Sequence, residues 1–219
     1  MMVKDLISEE IVPLRTSDTG DDALAMMSDF HVRHLPIVNG TQLLGLISED
    51  EIFDFDTMES VGSYELKIPH PFVYERNHIY DIMRLLNEYH LTLIPVVDKQ
   101  QNYMGVVTLE DLLKFFADSA SFGEHGSVIV LTVNRYNYSL SEIARIVESE
   151  NTIILNSFLT STADSTELDI TLKLNRSDIS KILASFNRYD YEIKASFSES
   201  EYIDSLQEHY ESLMSYLSV

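Results

Sequence analysis

The chain repeats itself. His34-Leu35-Pro36-Ile37-Val38 runs into Gly45-Leu46-Ile47-Ser48, and Leu93-Ile94-Pro95-Val96-Val97 runs into Gly105-Val106-Val107-Thr108. The two prolines stand 59 residues apart and the two glycines 60. A period of that size marks a supersecondary unit that cannot bury its own apolar face and must stack on its twin. Function is then to be sought first in the clefts between paired units, ahead of any catalytic triad.

Each copy reads as helix, strand, turn, strand, helix. In the first, Ala23, Leu24, Met26, Met27 and Phe30 follow helical spacing over residues 18–31. A strand over 35–38 is opened by Pro36, a placement that suits a strand's first residue or an edge. Asn39-Gly40 signals a turn, 43–47 the next strand, and Ser48 caps a helix from Glu49 to about Phe55, with Glu51 as the reciprocal partner of a capping box. The second copy repeats the order: helix 78–89, a strand over 94–97 with Pro95 in the place of Pro36, a strand over 103–107, and Thr108 capping 109–116. Beyond it, 119–126 is small and polar and reads as a linker. Residues 127–198 then give strand, helix, strand, strand, helix, strand. Residues 199–219 close as a helix whose Ile203, Leu206, Tyr210, Leu213 and Leu217 need an apolar surface to lie on.

Charge and composition exclude whole classes of function. With 15 basic and 36 acidic residues the net charge is −21, spread as −13 over residues 1–118 and −8 over 119–219. Such a field repels nucleic acid and anionic lipid. The absence of cysteine removes thiolate catalysis and thiolate metal sites. No Gly-x-Ser-x-Gly elbow, Gly-x-x-x-x-Gly-Lys loop or Gly-x-Gly-x-x-Gly is present. The first residues lack the apolar stretch of a signal peptide, so the expectation is a cytoplasmic protein with no membrane contact and no enzymatic activity. His31 and His34 share a helical-turn spacing, but no third ligand is fixed, and no metal site is expected. The acids at 18, 21, 22 and 49–51 read as helix N-terminal residues favoured by the dipole. Divalent-cation sensing through them is one alternative, and a ligand-free interaction module is another.

The duplicated unit, with its proline-bearing strand, Gly-hydrophobic-hydrophobic-Ser/Thr turn and an acid three residues on, resembles a tandem pair of CBS domains over residues 1–118, with copies of about 1–56 and 62–118. The βαββαβ order over 127–198 resembles an ACT domain, of ferredoxin-like fold. The whole is similar to CBS–ACT regulatory proteins of the acetoin-utilisation type, an α+β and α/β assembly. That resemblance implies a CBS pair that takes an adenosine-containing ligand and a homodimeric protein, with a regulated partner protein left unidentified.

On the residues, Thr108 at a helix N-terminus offers a hydroxyl and free amides suited to a phosphate. Asp111, one turn in, suits both hydroxyls of a ribose, and Gly105 allows close backbone approach to a base. The resemblance assigns Thr108 and Asp111 to phosphate and ribose. In the first copy Ser48 and Gly45 match, but Glu51 replaces the aspartate, so the two sites are expected to be unequal. Pro36, Pro95 and His34 complete the expected ligand-binding set. No cofactor is required, and the expected regulatory ligands are AMP, ADP, ATP or S-adenosylmethionine. Arg15, Arg33, His34, Arg76 and Lys99 are the cations nearest by sequence. The stretch Arg135 to Leu140 departs from the Asp-x-x-Gly-x-Leu turn of amino-acid-binding ACT domains, and Tyr138 stands where the glycine belongs. No conventional amino-acid effector is therefore expected, and the domain reads as a dimerisation surface.

Overall fold

A computed structural model describes residues 1–65, 71–118, 120–161, 165–198, 214 and 216. It divides into two compact units, Met1–Phe116 and Ala117–Val219.

In the first unit each copy builds a three-stranded sheet. β1 (Leu14–Arg15), β2 (His34–Asn39) and β3 (Gln42–Ser48) belong to the first copy, with α1 (Gly20–Asp29) and α2 (Glu49–Ile52). β4 (Val73–Tyr74), β5 (Leu93–Val97) and β6 (Tyr103–Thr108) belong to the second, with α3 (Ile79–Glu88) and α4 (Leu109–Asp118). The capping boxes of Thr19 with Asp22 and of Ser48 with Glu51 both close. α2 is shorter than the predicted 49–55, because the chain tightens into i→i+3 bonds from Asp54 N–H to Glu51 O and from Phe55 N–H to Ile52 O, both 3.1 Å. The prolines also depart from expectation. Pro36 and Pro95 lie third in β2 and β5, opposite Leu46 and Val106, and do not open their strands. They are tolerated because the parallel neighbours β1 and β4 pair only with Ile37 and Val38, and with Val96 and Val97.

The stacking that the repeat demands is an exchange of leading segments. Val3 N–H donates to Asn77 O (2.9 Å) and Lys4 N–H to Glu75 O (3.0 Å), while Ser8 and Val106 exchange bonds in both directions (2.8 and 3.1 Å). Reciprocally, Val61 N–H donates to Asp18 O (2.8 Å) and Gly62 N–H to Thr16 O (3.0 Å). The segment that precedes each copy thus completes the other, and Val3 and Val61 are buried in the single core that both copies share. Each copy borrows the leading segment of the other, so neither copy is closed alone.

In the second unit β7 (Val128–Asn134), α6 (Leu140–Ser149), β8 (Ile154–Thr160), β9 (Glu167–Leu174), α7 (Ser180–Arg188) and β10 (Glu192–Phe197) follow the predicted order. The sheet is antiparallel throughout, in the order β10-β7-β9-β8. Strict alternation along β9 buries Leu168, Ile170, Leu172 and Leu174. Ile170, Leu172 and Leu174 join Ile129 and Leu131 against Ile143, Ile146 and Val147 of α6 and Ile182 and Phe186 of α7. The opposite sheet face carries no helix of that pair. The expected linker at 119–126 contains a four-residue helix, α5 (Ala120–Gly123), whose Phe122 lines that open face. The predicted closing helix over 199–219 lies outside the described residues, Met214 and Tyr216 apart.

Candidate functional site

The two hydroxyl–acid pairs occupy equivalent places and differ in how they are used. In the second copy Thr108 caps α4: its Oγ1 accepts the Asp111 N–H (2.9 Å) and donates to Asp111 Oδ2 (2.7 Å), which also accepts the Thr108 N–H (3.1 Å). All three contacts leave Oδ1 of Asp111 out, and that side chain is partly exposed. In the first copy Glu51 reaches back through one longer link, its Oε2 accepting from the Ser48 N–H and Oγ at 3.0 Å each. Glu51 is only 8% exposed, and its Oε1 is buried without a hydrogen-bond partner. The extra methylene therefore goes with a buried carboxylate, while Asp111 is partly exposed and its Oδ1 takes no part in the cap.

His34 joins the two copies. Its Nδ1 lies 3.0 Å from Thr92 Oγ1 and accepts the Thr92 N–H at 3.3 Å, so Nδ1 is the unprotonated ring nitrogen. Thr92 Oγ1 in turn accepts the Arg33 N–H at 3.0 Å. Burial, and then the nearby Arg33 cation, hold the His34 pKa below its ordinary value, while Glu51 and Asp50 pull the other way. Both helix starts hang on this bridge: Glu49 N–H donates to Arg33 O and Leu109 N–H to Thr92 O, each at 2.9 Å. Thr92 was not among the residues picked out in the sequence, although it fills in the second copy the place that Arg33 fills in the first, directly before the strand.

Gly105 has a different reason to be glycine than approach to a base. Its φ is +142°, and a Cβ there would stand 2.7 Å from Ser8 O and 2.6 Å from Ile7 Cγ2. The room beside it is taken by the exchanged leading segment of the chain itself. Gly45 and Gly105 each stand next to a bulge, where Leu44 and Met104 are skipped in the pairing of β2 with β3 and of β5 with β6. Pro36 and Pro95 pair with core residues of the neighbouring strands. Of the cations, Arg33 is engaged by Glu49 (3.1 Å) and Asp50 (3.3 Å), and Arg76 by Glu75 (3.7 Å). Among the described residues no group of three or more acids and histidines is placed to hold a metal ion, and no helix is long and apolar enough to cross a membrane.

Comparison with known proteins bears on this architecture. The chain is 27% identical over 124 residues to an L-aspartate semialdehyde sulfurtransferase of Methanosarcina acetivorans, which covers 53% of this chain and 24% of that one. It is similar in structure to a CBS domain pair/ACT domain protein of Thermotoga maritima (TM-score 0.49, 23% identity, 55% of this chain and 99% of that one). It is also similar to CBSX2, crystallised in complex with AMP (TM-score 0.46, 24% identity, 52% and 95%). The chain spans less than half the length of the curated relatives it matches. The CBS domain model matches residues 3–57 and again 63–118, the same two copies that exchange their leading segments, and the chain belongs to the CBS domain family.

Proposed function

We propose that this is a non-catalytic, cytoplasmic regulatory protein whose second CBS copy binds an adenine nucleotide or another adenosyl ligand. The observation that carries the reading is the start of α4, where Asp111 is partly exposed and one of its oxygens takes no part in the capping box with Thr108. The positive end of the helix dipole suits a phosphate, and a carboxylate oxygen outside the cap suits ribose hydroxyls. The first copy is the weaker site, because Glu51 is turned inward. A charge of −13 over residues 1–118 favours AMP or S-adenosylmethionine over ATP, which would bring about four further negative charges. Residues 127–198 form an ACT-like, ferredoxin-like domain that mediates homodimerisation and passes ligand state on to a regulated protein. Its βαββαβ order and two exposed edge strands, β8 and β10, support this.

A thermal-shift series with AMP, ADP, ATP and S-adenosylmethionine tests the reading. Stabilisation by at least one of them, lost in Asp111→Ala, is the expected result. No shift at millimolar concentration would favour a pure interaction module, a reading supported by the mutual hydrogen bonding of Ser48 with Glu51 and of Thr108 with Asp111. EDTA-sensitive stability would favour a cation sensor, against which stands the use of Glu49 and Asp50 by Arg33 and of Asp22 by Thr19.

A further inference from the structure

Three polar side chains of the first copy are buried together. His34 and Ser48 are partners across β2 and β3 and so share one face, and Ser48 Oγ donates to Glu51 Oε2 at 3.0 Å. His34, Ser48 and Glu51 are each 8% exposed. In the second copy the same pairing joins Leu93 to Thr108, so the fold closes at that place with a side chain that exchanges no proton. An imidazole is therefore not a packing requirement here. Nor does the Ser48 cap use both carboxylate oxygens of Glu51: Oε1 is buried with no hydrogen-bond partner among the described residues. Leaving a buried acceptor open is costly, and a state that fills it regains what the open one forfeits.

We propose that His34 is a proton-operated latch between the two copies, in which Thr92 of the second copy and Glu51 of the first are alternative partners. With the ring neutral, Nδ1 accepts the Thr92 N–H (3.3 Å) and meets Thr92 Oγ1 (3.0 Å). A proton on Nδ1 sets hydrogen against hydrogen at the Thr92 amide. The hydroxyl can turn round and accept, but the amide cannot, and it loses its acceptor. The cation so formed is one hydrogen bond removed, through Ser48, from Glu51, and a turn of the ring brings it to the open Oε1 as a charge-assisted pair. One proton thus exchanges a bond between copies for an ion pair within the first. Leu109 N–H donates to Thr92 O at 2.9 Å, so the start of α4 is loosened together with Thr92.

The charges around the ring fix the direction of the latch. Glu51 and Asp50, both from α2, favour the cation, and Arg33, next to His34 in the chain, opposes it. Arg33 is itself held by Glu49 (3.1 Å) and Asp50 (3.3 Å), and the second copy brings only the uncharged Thr92 to the ring. Burial opposes the cation most, which keeps the latch closed near neutrality and assigns its opening to acidic pH. The proposal rests on the joint between the copies and is independent of the nucleotide reading.

Nuclear magnetic resonance of the full chain, titrated from about pH 7.5 to about pH 4, tests it. The His34 ring Cε1–H, the Thr92 amide and the Glu51 carboxyl carbon should titrate with one midpoint. Through that midpoint the protection of the Thr92 amide against exchange should fall at least about tenfold. Glu51→Gln keeps a carbonyl oxygen for the Ser48 cap but removes the charge, so it should lower the His34 midpoint. A carboxylate that only capped Ser48 would leave that midpoint in place. A Thr92 amide that does not follow the ring, or a His34 midpoint unmoved in Glu51→Gln, would overturn the proposal. The titration of the unsubstituted chain needs no variant, so it decides the first point even where Glu51→Gln does not fold.

Discussion

His34 Nδ1 and Thr92 Oγ1, 58 residues apart, meet at 3.0 Å and fasten one CBS copy to the other. The Thr92 N–H also donates to this nitrogen at 3.3 Å, a bond that needs Nδ1 unprotonated. Burial depresses the His34 pKa below its ordinary value of 6.5, so the folded state takes up this proton later than the unfolded chain does. The contribution to stability is therefore full above about pH 6.5 and is lost as pH falls through the lower folded value, with a slope of at most about 1.4 kcal/mol per pH unit. Arg33 adds to the depression, while Glu51 and Asp50 reduce it. His34→Leu should cost about 1–3 kcal/mol at pH 7 by leaving the Thr92 donors unpaired, and should lose this part of the pH dependence. Urea titrations of both proteins at pH 7 and 5.5 measure the difference. Equal slopes for the two proteins would remove His34 from the account.

Gly105 and Gly40 separate two reasons for glycine. Gly40 has φ +62° and nothing within 4 Å of a built Cβ, so Gly40→Ala should cost about 1–2 kcal/mol from backbone conformation alone. Gly105→Ala adds a collision with the Ser8 carbonyl, which is backbone and cannot swing away. It should cost more than Gly40→Ala by at least about 1 kcal/mol and loosen residues 1–8, read as faster exchange at the Ser8 and Val106 amides.

Exchange of the leading segments makes Val3 and Val61 counterparts, 0% and 1% exposed. Val3→Ala and Val61→Ala should each lower stability by about 2 kcal/mol, given about 0.8 kcal/mol for each buried carbon removed. Because the core is shared, both should shift one cooperative transition of the first unit. Separate melting of the two copies would count against the shared core.

Local pattern carried most of the fold and long-range geometry carried the surprises. Helical spacing at Ala23, Met26 and Met27, period-two alternation in β9 and the Ser48 and Thr108 caps are properties of neighbouring residues, so they are legible from the chain. The placement of Pro36 depends on β1 stopping after two residues, and the need for glycine at 105 depends on Ser8, far away in sequence. Thr92 carries no motif: a threonine before a strand acquires meaning only when folding brings His34 to it. Glu51 was legible as a departure from aspartate, but its inward turn and its unpaired Oε1 follow from packing.

The two capping boxes allow the structural and the ligand-binding roles of the acid to be separated. Asp111→Asn keeps a carbonyl oxygen for the Thr108 N–H and hydroxyl, so stability should fall by no more than about 1 kcal/mol. The amide nitrogen, however, donates and cannot accept a ribose hydroxyl, so thermal stabilisation by AMP should drop to less than about a third of the parent's. Glu51→Gln makes the equivalent change where the carboxylate faces the core, and the AMP shift should survive it. Melting curves of the three proteins with and without millimolar AMP compare these cases directly. If Glu51→Gln removes the shift while Asp111→Asn preserves it, the nucleotide belongs to the first copy, and the inward turn of Glu51 is a state that the ligand must reverse.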